Sequence, residues 1–562
     1  MKIIHIRIAC CILAALVVSA GQARAVEGKS FTEMVPMRDG VQLATDVYLP
    51  VGEGPWPVVL IRTPYSRGMM KGAMEYCLAW GYACVAQDVR GRFGSHGKAI
   101  VFTTETEDGY DTVEWIAAQG WSNGAVGTYG GSAMGITQYA MLKDPPPHLK
   151  CQFVEVATPF LFNEVRPNGG FQLALVEGWL AMSLFEPENL AAYYSHDKLD
   201  DFWKKVDFLS DPEKVKVPVF HDAGWYDIFA EGGINAFRTL DGRGGDGAAG
   251  RQKLRIGPWS HMTFGQRKQA ELVFPESVQA EKADPAAWFD WCLKGEDTGA
   301  DKWPAVRYYV LGDVDDPAAP GNAWRSAEGW PVPSKQRNFY LRAGGKISTG
   351  RPEAGEAPLE VVFDPLDPVP TLGGRNLTID AGPWDQNAIG PRSDVLSFQT
   401  DPLESPVEIA GEALVKLFFS ADVPDTDLAV KLMDVYPDGR AMLLLQGIQR
   451  LKYMTSPSTE ELMQPGKVYG VTFPLGNVAV AFNRGHRIRV DVAGSNFPLF
   501  DVNRNTGKQP EYTKAQASKR LTYARVHKWR GVDGNEEYRK ARVSLYADAE
   551  RASMVILPVV SE

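Results

Sequence analysis

Metal-site and disulfide signatures are missing from this sequence. Six cysteines occur in 562 residues, none in C-x-x-C spacing or beside a histidine cluster, so no zinc site is indicated. Cys10 and Cys11 lie near the N-terminus, and Cys77, Cys84, Cys151 and Cys292 are too far apart to form a disulfide scaffold. One bridge, with Cys77 and Cys84 nearest in sequence, and buried free thiols are equally open readings. Internal repeats, low-complexity tracts and long like-charge runs are also lacking, which argues against a solenoid or a disordered tail. Basic charge is short: 59 Lys and Arg against 69 Asp and Glu give a net charge of −10. Removing Lys2, Arg7 and Arg24 with the leader described next makes the remainder more acidic still. Nucleic acid and anionic membranes are therefore poor partners. No apolar run is long enough to span a bilayer comfortably.

The longest apolar run, Ile8 to Ala20, follows Lys2 and Arg7 and precedes the small-x-small site Ala23-Arg24-Ala25. This pattern predicts a signal peptide over residues 1–25 and export to the periplasm or the medium. Beyond it the length suits two to four domains. Met34–Leu49 reads as a hairpin turned at Asp39-Gly40. Val58–Ile61 and Tyr82–Ala86 read as strands buried on both faces, Met74–Trp80 and Asp108–Ala118 as helices. This alternation predicts a mostly parallel, doubly wound sheet over residues 26–157 and 216–325. Residues 158–215 are aromatic-rich and helix-like, which predicts a helical cap inserted into that domain. A Pro/Gly-rich run from Asp315 to Pro333 reads as a linker. Short alternating strands after it, such as Ala413–Phe419, Leu428–Tyr436 and Arg487–Val492, predict an all-β jelly roll over 334–562 with its own core.

Chemistry centres on Gly130-Gly131-Ser132-Ala133-Met134-Gly135. A β-rich run enters it and a helical run leaves it, so Ser132 would sit at the apex of a strand-to-helix turn. The spacing is G-x-S-x-x-G, one residue longer than the usual elbow, and an N-capping serine is the plainer alternative. Two later strands end in Gly224-Trp225-Tyr226-Asp227 and Gly257-Pro258-Trp259-Ser260-His261. The order Ser132, Asp227, His261 is that of a nucleophile, an orienting acid and a base on successive loops of an α/β sheet. Of the other histidines, His221 reads as a core residue, His148 and His196 as solvated, His486 and His527 as parts of the β domain, and His96 as a competitor on the same rim. Asp222 rivals Asp227 but lies within the strand, and Asp88 reads as structural, paired with Arg90 or Arg92. The N–H of Ala133 would give one oxyanion donor and the loop 62–68 the second, where Tyr65 offers a phenol or merely anchors the rim.

Arg38-Asp39-Gly40-Val41, Thr63-Pro64-Tyr65, Gln87–Gly91, Asp108–Trp115, Gly130–Gln138, Gly224–Asp227 and Gly257–His261 together resemble the cocaine-esterase-like branch of the X-prolyl dipeptidyl-peptidase superfamily. Its relatives include α-amino-acid ester hydrolases and glutaryl acylases. Pro424–Asp427, Gly485–Arg489 and Ser495–Pro498 extend the resemblance into the β domain. The resemblance implies an α/β-hydrolase domain, a helical cap and a C-terminal jelly roll. It also implies Ser132 as nucleophile, His261 as base, Asp227 as acid, and Tyr65 with Ala133 N–H as the oxyanion hole.

Two departures bear on the substrate. Alanine stands at position 133, where the family often has tyrosine, and Ile228, Phe229 and Ala230 follow Asp227 where amino-acid ester hydrolases carry ammonium-binding carboxylates. Glu164 and Glu231 are the nearest substitutes. Phe160, Phe162, Trp179 and Phe185 are candidate pocket walls. The expectation is an exported serine hydrolase, without metal or organic cofactor, that cleaves small-molecule carboxylic esters through an acyl-enzyme. An amidase or acylase with the same triad is the alternative, and a non-catalytic carbohydrate- or peptide-binding protein a remote one. A homo-oligomer is compatible with the sequence.

Overall fold

The computed structural model describes residues 28–278, 283–509, 512–532 and 534–560. The leader, with Cys10 and Cys11, lies outside them. Apolar runs bracketed by turns become one ten-stranded sheet. β1 (Lys29–Pro36) and β2 (Gln42–Leu49) form the antiparallel hairpin, with Gly40 at φ +84° in its turn. The central strands are β3 (Trp56–Thr63), β4 (Ala83–Asp88), β5 (Ser122–Gly131), β6 (Leu149–Glu155), β7 (Val219–Tyr226) and β8 (Lys253–Ser260). A small hairpin, β9 (Lys268–Gln269) with β10 (Leu272–Val273), stands apart, and β11 (Val306–Val310) and β12 (Ala323–Ala327) complete the sheet. Its order is β1-β2-β4-β3-β5-β6-β7-β8-β11-β12, parallel from β4 through β11. Helices α1 (Lys71–Ala79), α2 (Glu105–Ala117) and α3 (Ala133–Ala140) connect the first parallel strands. The doubly wound architecture expected of an α/β hydrolase is present.

Three elements differ from the sequence reading. β7 and β8 run on through Gly224–Tyr226 and Gly257–Ser260, which read as loops because of their glycine and proline. The ladder continues there, with Gly224 opposite Gly257 and Tyr226 opposite Ser260. A Cβ at Gly224 would fall 2.2 Å from the Trp259 carbonyl oxygen, so glycine marks close backbone approach rather than a turn. The proposed linker is also partly strand: β12 pairs antiparallel with β11 and forms the sheet's last edge. The third difference is a helix in the all-β region, taken up below.

Between β6 and β7 the chain forms the cap from α4 (Leu161–Val165), α5 (Leu173–Met182), α6 (Pro187–Ser195) and α7 (Asp201–Lys205). After β7, α8 (Ala230–Arg243) returns along the sheet, and α9 (Pro285–Phe289) leads into a π-helical turn. From Lys335 onward the chain is a jelly-roll β domain, dominated by the antiparallel pair Val407–Ala421 and Tyr469–Phe482. Its core is not separate from that of the α/β domain. One apolar cluster runs from Trp225, Ile256 and Tyr309 through Trp330 to Phe419 and Val480, and Leu311 exchanges backbone hydrogen bonds with Ala479 and Ala481. α10 (Lys514–Ala524) departs from the β pattern. A Thr513–Gln516 capping box starts it, and Ala517, Leu521 and Ala524 form a buried stripe packed with the cap helices α5 and α6. The four cysteines at 77, 84, 151 and 292 are free thiols.

Candidate active site

Ser132 sits between the last residue of β5 and the first of α3, at φ 59° and ψ −129°. A non-glycine residue held there is strained, and the surroundings determine it. Its N–H donates to the Glu155 carbonyl at 3.0 Å, and its own carbonyl accepts from Gly135 and Ile136. A Cβ at Gly135 would lie 2.5 Å from that of Ala157, so the glycine three places on is required by helix–strand packing. The extra residue in the motif is therefore compatible with an elbow: Gly135 faces β6, and the turn itself is made at Gly130 and Ser132.

His261 follows β8 directly and Asp227 follows β7. The three side chains meet beyond the carboxyl ends of their strands, where ligands bind in open parallel sheets. Ser132 Oγ lies 2.9 Å from His261 Nε2, and His261 Nδ1 lies 2.6 Å from Asp227 Oδ2. A carboxylate only accepts, so Nδ1–H donates to Asp227 and Nε2 is left to accept the serine hydroxyl. The Phe229 N–H donates to Asp227 Oδ1 at 2.7 Å, which leaves the carboxylate little freedom to rotate. Asp227 is fully buried and the Phe229 ring stands edge-on to the imidazole at 5.7 Å.

Tyr65 is buried and lines the same cavity as Ser132 and His261. Its hydroxyl accepts the indole N–H of Trp179 at 2.8 Å and so keeps its own proton available to the site. Burial pushes its pKa up from the ordinary phenol value, which maintains that proton. The loop is held from behind by Arg92, which donates to the Pro64 carbonyl at 3.2 Å and to the Ser183 carbonyl at 2.6 Å. Ala133 is the first residue of α3, so its N–H lies outside the helical ladder.

Two cavities open at Ser132. The larger, of about 600 Å³, has Tyr65, Ser132 and His261 on its floor. The smaller, of about 50 Å³, lies on the Ala133 side beneath the cap. Of the four candidate wall aromatics, only Trp179 lines them. Phe185 lies behind it, 4.9 Å from its ring and stacked on the Arg92 guanidinium. Phe160 and Phe162 line a different cavity on the far side of α4, where Phe162 packs edge-on against Trp203. The five-residue helix sends Phe162 into the packing around Trp203, and Phe160 lies just before it, so neither ring lines the cavities at Ser132, which a reading by composition could not foresee. The sequence reading also missed the contribution of the β domain. Leu377, Asp380, Pro498, His527 and Trp529 line the larger cavity, the last two from the segment following α10. Pro498 lay within the Ser495–Pro498 stretch of the resemblance, and His527 and Trp529 offered only a histidine and an aromatic in a stretch without strand periodicity.

The rival residues are occupied elsewhere. Asp222 makes a two-pronged pair with Arg255. Asp88 binds Arg67 at 2.5 Å and caps the Gly94 N–H, while Arg90 instead pairs with Asp39 and Asp108. His221 is buried against Tyr139 Oη and Gln252, and burial pushes its pKa down to about 3. His148 and His196 bind Glu114 and Asp200 at the surface, and His96 is exposed outside the cavity. Neither substitute carboxylate forms an ammonium site. Glu231 is held below the usual carboxylate range because Arg375 and Asn477 bind it, which outweighs burial. Glu164 is buried, and desolvation together with the neighbouring Glu231 pushes it up to about 8. Glu155, at the other side of the serine, is likewise pushed up to about 8 by burial and the neighbouring Asp222. Arg375, another residue the sequence did not single out, ties the β domain to the acid loop. It donates to the Trp225 carbonyl at 3.0 Å, Glu231 at 2.7 Å and the Asn477 carbonyl at 2.7 Å.

A doubly wound sheet with a serine elbow, a cap between its sixth and seventh strands and a jelly roll against its edge defines a class of α/β hydrolase. Comparisons with known proteins place the chain within that class. Residues 39–189 and 185–263 match the X-Pro dipeptidyl-peptidase (S15) family, and 298–556 match the X-Pro dipeptidyl-peptidase C-terminal non-catalytic domain. Cocaine esterase of Rhodococcus is 32% identical over 542 residues, spanning 84% of this chain and 92% of that protein. The chain belongs to this S15 family of serine hydrolases. An α-amino acid ester hydrolase structure superposes with a TM-score of 0.78 at 26% identity, covering 97% of this chain and 98% of that one. An aminopeptidase from a marine-sediment Thaumarchaeota archaeon shares the fold, with a TM-score of 0.78 at 24% identity and coverage of 97% and 98%.

Proposed function

We propose that the protein is an exported esterase that cleaves small-molecule carboxylic esters through a covalent acyl-enzyme. One observation carries the reading: the hydroxyl of Ser132 lies 2.9 Å from an imidazole whose other nitrogen lies 2.6 Å from a buried aspartate. In acylation, His261 Nε2 takes the Ser132 proton as Oγ attacks the ester carbonyl carbon. The carbonyl π electrons move onto oxygen, and that oxyanion receives hydrogen bonds from the Tyr65 hydroxyl and the Ala133 N–H. Asp227 holds the imidazole in its tautomer and stabilises the imidazolium. As the carbonyl reforms, the ester C–O bond breaks and the alcohol leaves with the proton from Nε2. Water then repeats the sequence: His261 takes its proton, hydroxide attacks the acyl carbon, and Ser132 departs reprotonated with release of the acid. The ester assignment is supported by the 32% identity to cocaine esterase. The export assignment is supported by the leader pattern ending at Ala25.

Fluorophosphonate labelling and a panel of esters and amides, run on wild type and Ser132→Ala, test the reading. One label on Ser132, and ester turnover lost by a factor of about 10⁴ or more in the variant, are expected. A label on another serine, or turnover retained by the variant, would reject it, and faster amide than ester cleavage would make the enzyme an acylase.

A further inference from the structure

The two cavities at Ser132 can be assigned by proton transfer. The leaving oxygen must collect its proton from His261 Nε2, so the alcohol occupies the cavity that His261 lines. That is the larger one, about 600 Å³, bounded by Met182, Met262, Pro498, His527 and Trp529. A volume of this size takes a drug-sized group. The smaller cavity includes Ser132 and Ala133 but not His261. With the alcohol in the cavity that His261 lines, the smaller one is left for the acyl chain. Trp179 and Leu377 border both and divide them.

We propose, on the basis of the esterase reading above, that the substrates are esters of short, uncharged acyl groups with bulky alcohols. Size comes first. The acyl cavity holds about 50 Å³, and at roughly 10–15 Å³ of such volume per water-sized group it admits about three to five chain atoms. Its walls do not yield readily: Ile136 and Val176 are buried on α3 and α5, and Phe102 is stacked on Trp179 at 5.6 Å. Charge comes second. Phe102, Ile136, Leu175, Val176 and Phe229 offer no polar side-chain atoms. Tyr193 donates to the Val101 carbonyl, and the buried Glu164 carboxyl on this wall is pushed up to about 8 by desolvation. Neither an acyl carboxylate nor an acyl ammonium would find a free counter-charge there. The β domain contributes to the discrimination, because Leu377 belongs to it.

The test uses the mature protein and p-nitrophenyl acetate, butyrate, octanoate and benzoate, each rate normalised to hydroxide-catalysed hydrolysis of the same ester. Ethyl, benzyl and 2-naphthylmethyl butyrate vary the alcohol. Butyrate or acetate should exceed octanoate and benzoate by about tenfold or more in kcat/KM, since overfilling a packed pocket is costly. The alcohol series should change by less than about threefold or rise with bulk. Val176→Ala should raise the octanoate-to-butyrate ratio by about threefold or more by opening the wall. Octanoate or benzoate turned over as fast as butyrate would overturn the proposal, and so would a fall in kcat/KM of more than about threefold from the ethyl to the bulkier alcohols. These results are distinct from failure of the esterase reading, in which no ester of either series would be cleaved and the substrate class would fall with it.

Discussion

Replacing Tyr65 by phenylalanine separates an oxyanion donor from a rim anchor. The phenol ring would stay buried and only the hydroxyl would go, leaving Ser132, His261 and Asp227 in place. If that hydroxyl stabilises the oxyanion, its loss should cost about 2.7–4 kcal/mol in the transition state, or about 10²–10³ in kcat, with KM little changed. The same substitution leaves the Trp179 indole N–H, now 2.8 Å from the phenol oxygen, without its partner. Full burial of an unpaired N–H costs about 1–3 kcal/mol, but Trp179 is only half-buried, so the loss of stability should fall at or below the low end. Trp179→Phe is the control, because it breaks the same hydrogen bond and keeps the hydroxyl. It should lower kcat for p-nitrophenyl butyrate by less than about tenfold. Steady-state kinetics, fluorophosphonate labelling rates and thermal melts of the two variants decide the matter. A Tyr65→Phe kcat within threefold of wild type, or equal losses in both variants, would refute the oxyanion argument and make Tyr65 an anchor.

Two further outcomes follow from the charges around the acid loop. Arg375→Met removes the cation that binds Glu231 and the Trp225 carbonyl, so stability should drop by about 2–4 kcal/mol in chemical denaturation; kcat should fall by about tenfold through looser placement of Asp227, with KM changing less, and an unchanged kcat would show that the β domain does not position the acid. Glu164 is pushed up to about 8 in the native state, above its unfolded value near 4.3. The native protein therefore holds a proton that the unfolded chain has lost between those limits, and stability contributed by this group falls as pH rises through 8. Glu164→Gln should raise Tm relative to wild type at pH 9 and do little at pH 5; a larger gain at pH 5 would reverse the sign and sink the argument.

Much of this protein was legible from local pattern. Buried runs such as Val58–Ile61 announced the parallel strands because strands covered on both faces need apolar side chains on both. The Gly130–Gly135 turn, followed by aspartate and histidine at the ends of two later strands, located the three groups that meet at Ser132. Chain order in this topology maps directly onto position along one sheet edge, which is why so distant a set could be found without coordinates. Strand ends were less legible. Gly224 and Gly257 looked like loop residues, yet a Cβ at Gly224 would meet the Trp259 carbonyl and one at Gly257 the Trp259 ring. The edge strand at Ala323–Ala327 was hidden by its Pro/Gly-rich flanks.

What tertiary structure alone decided is everything that depends on which surfaces meet. Phe160, Phe162, Phe185 and Trp179 are alike in composition, and only the orientation of short cap helices brings Trp179 to the serine and turns the others away. Leu377, Arg375, His527 and Trp529 reach the site from the β domain because the two domains share one core and α10 lies on the cap. No periodicity in those segments points toward Ser132. The sequence by itself determined the sheet, the elbow and the order of the three groups, since these rest on hydrophobic period and turn geometry within short windows. The shape of the cavities, and with it the division between acyl and alcohol, came only from packing between segments hundreds of residues apart.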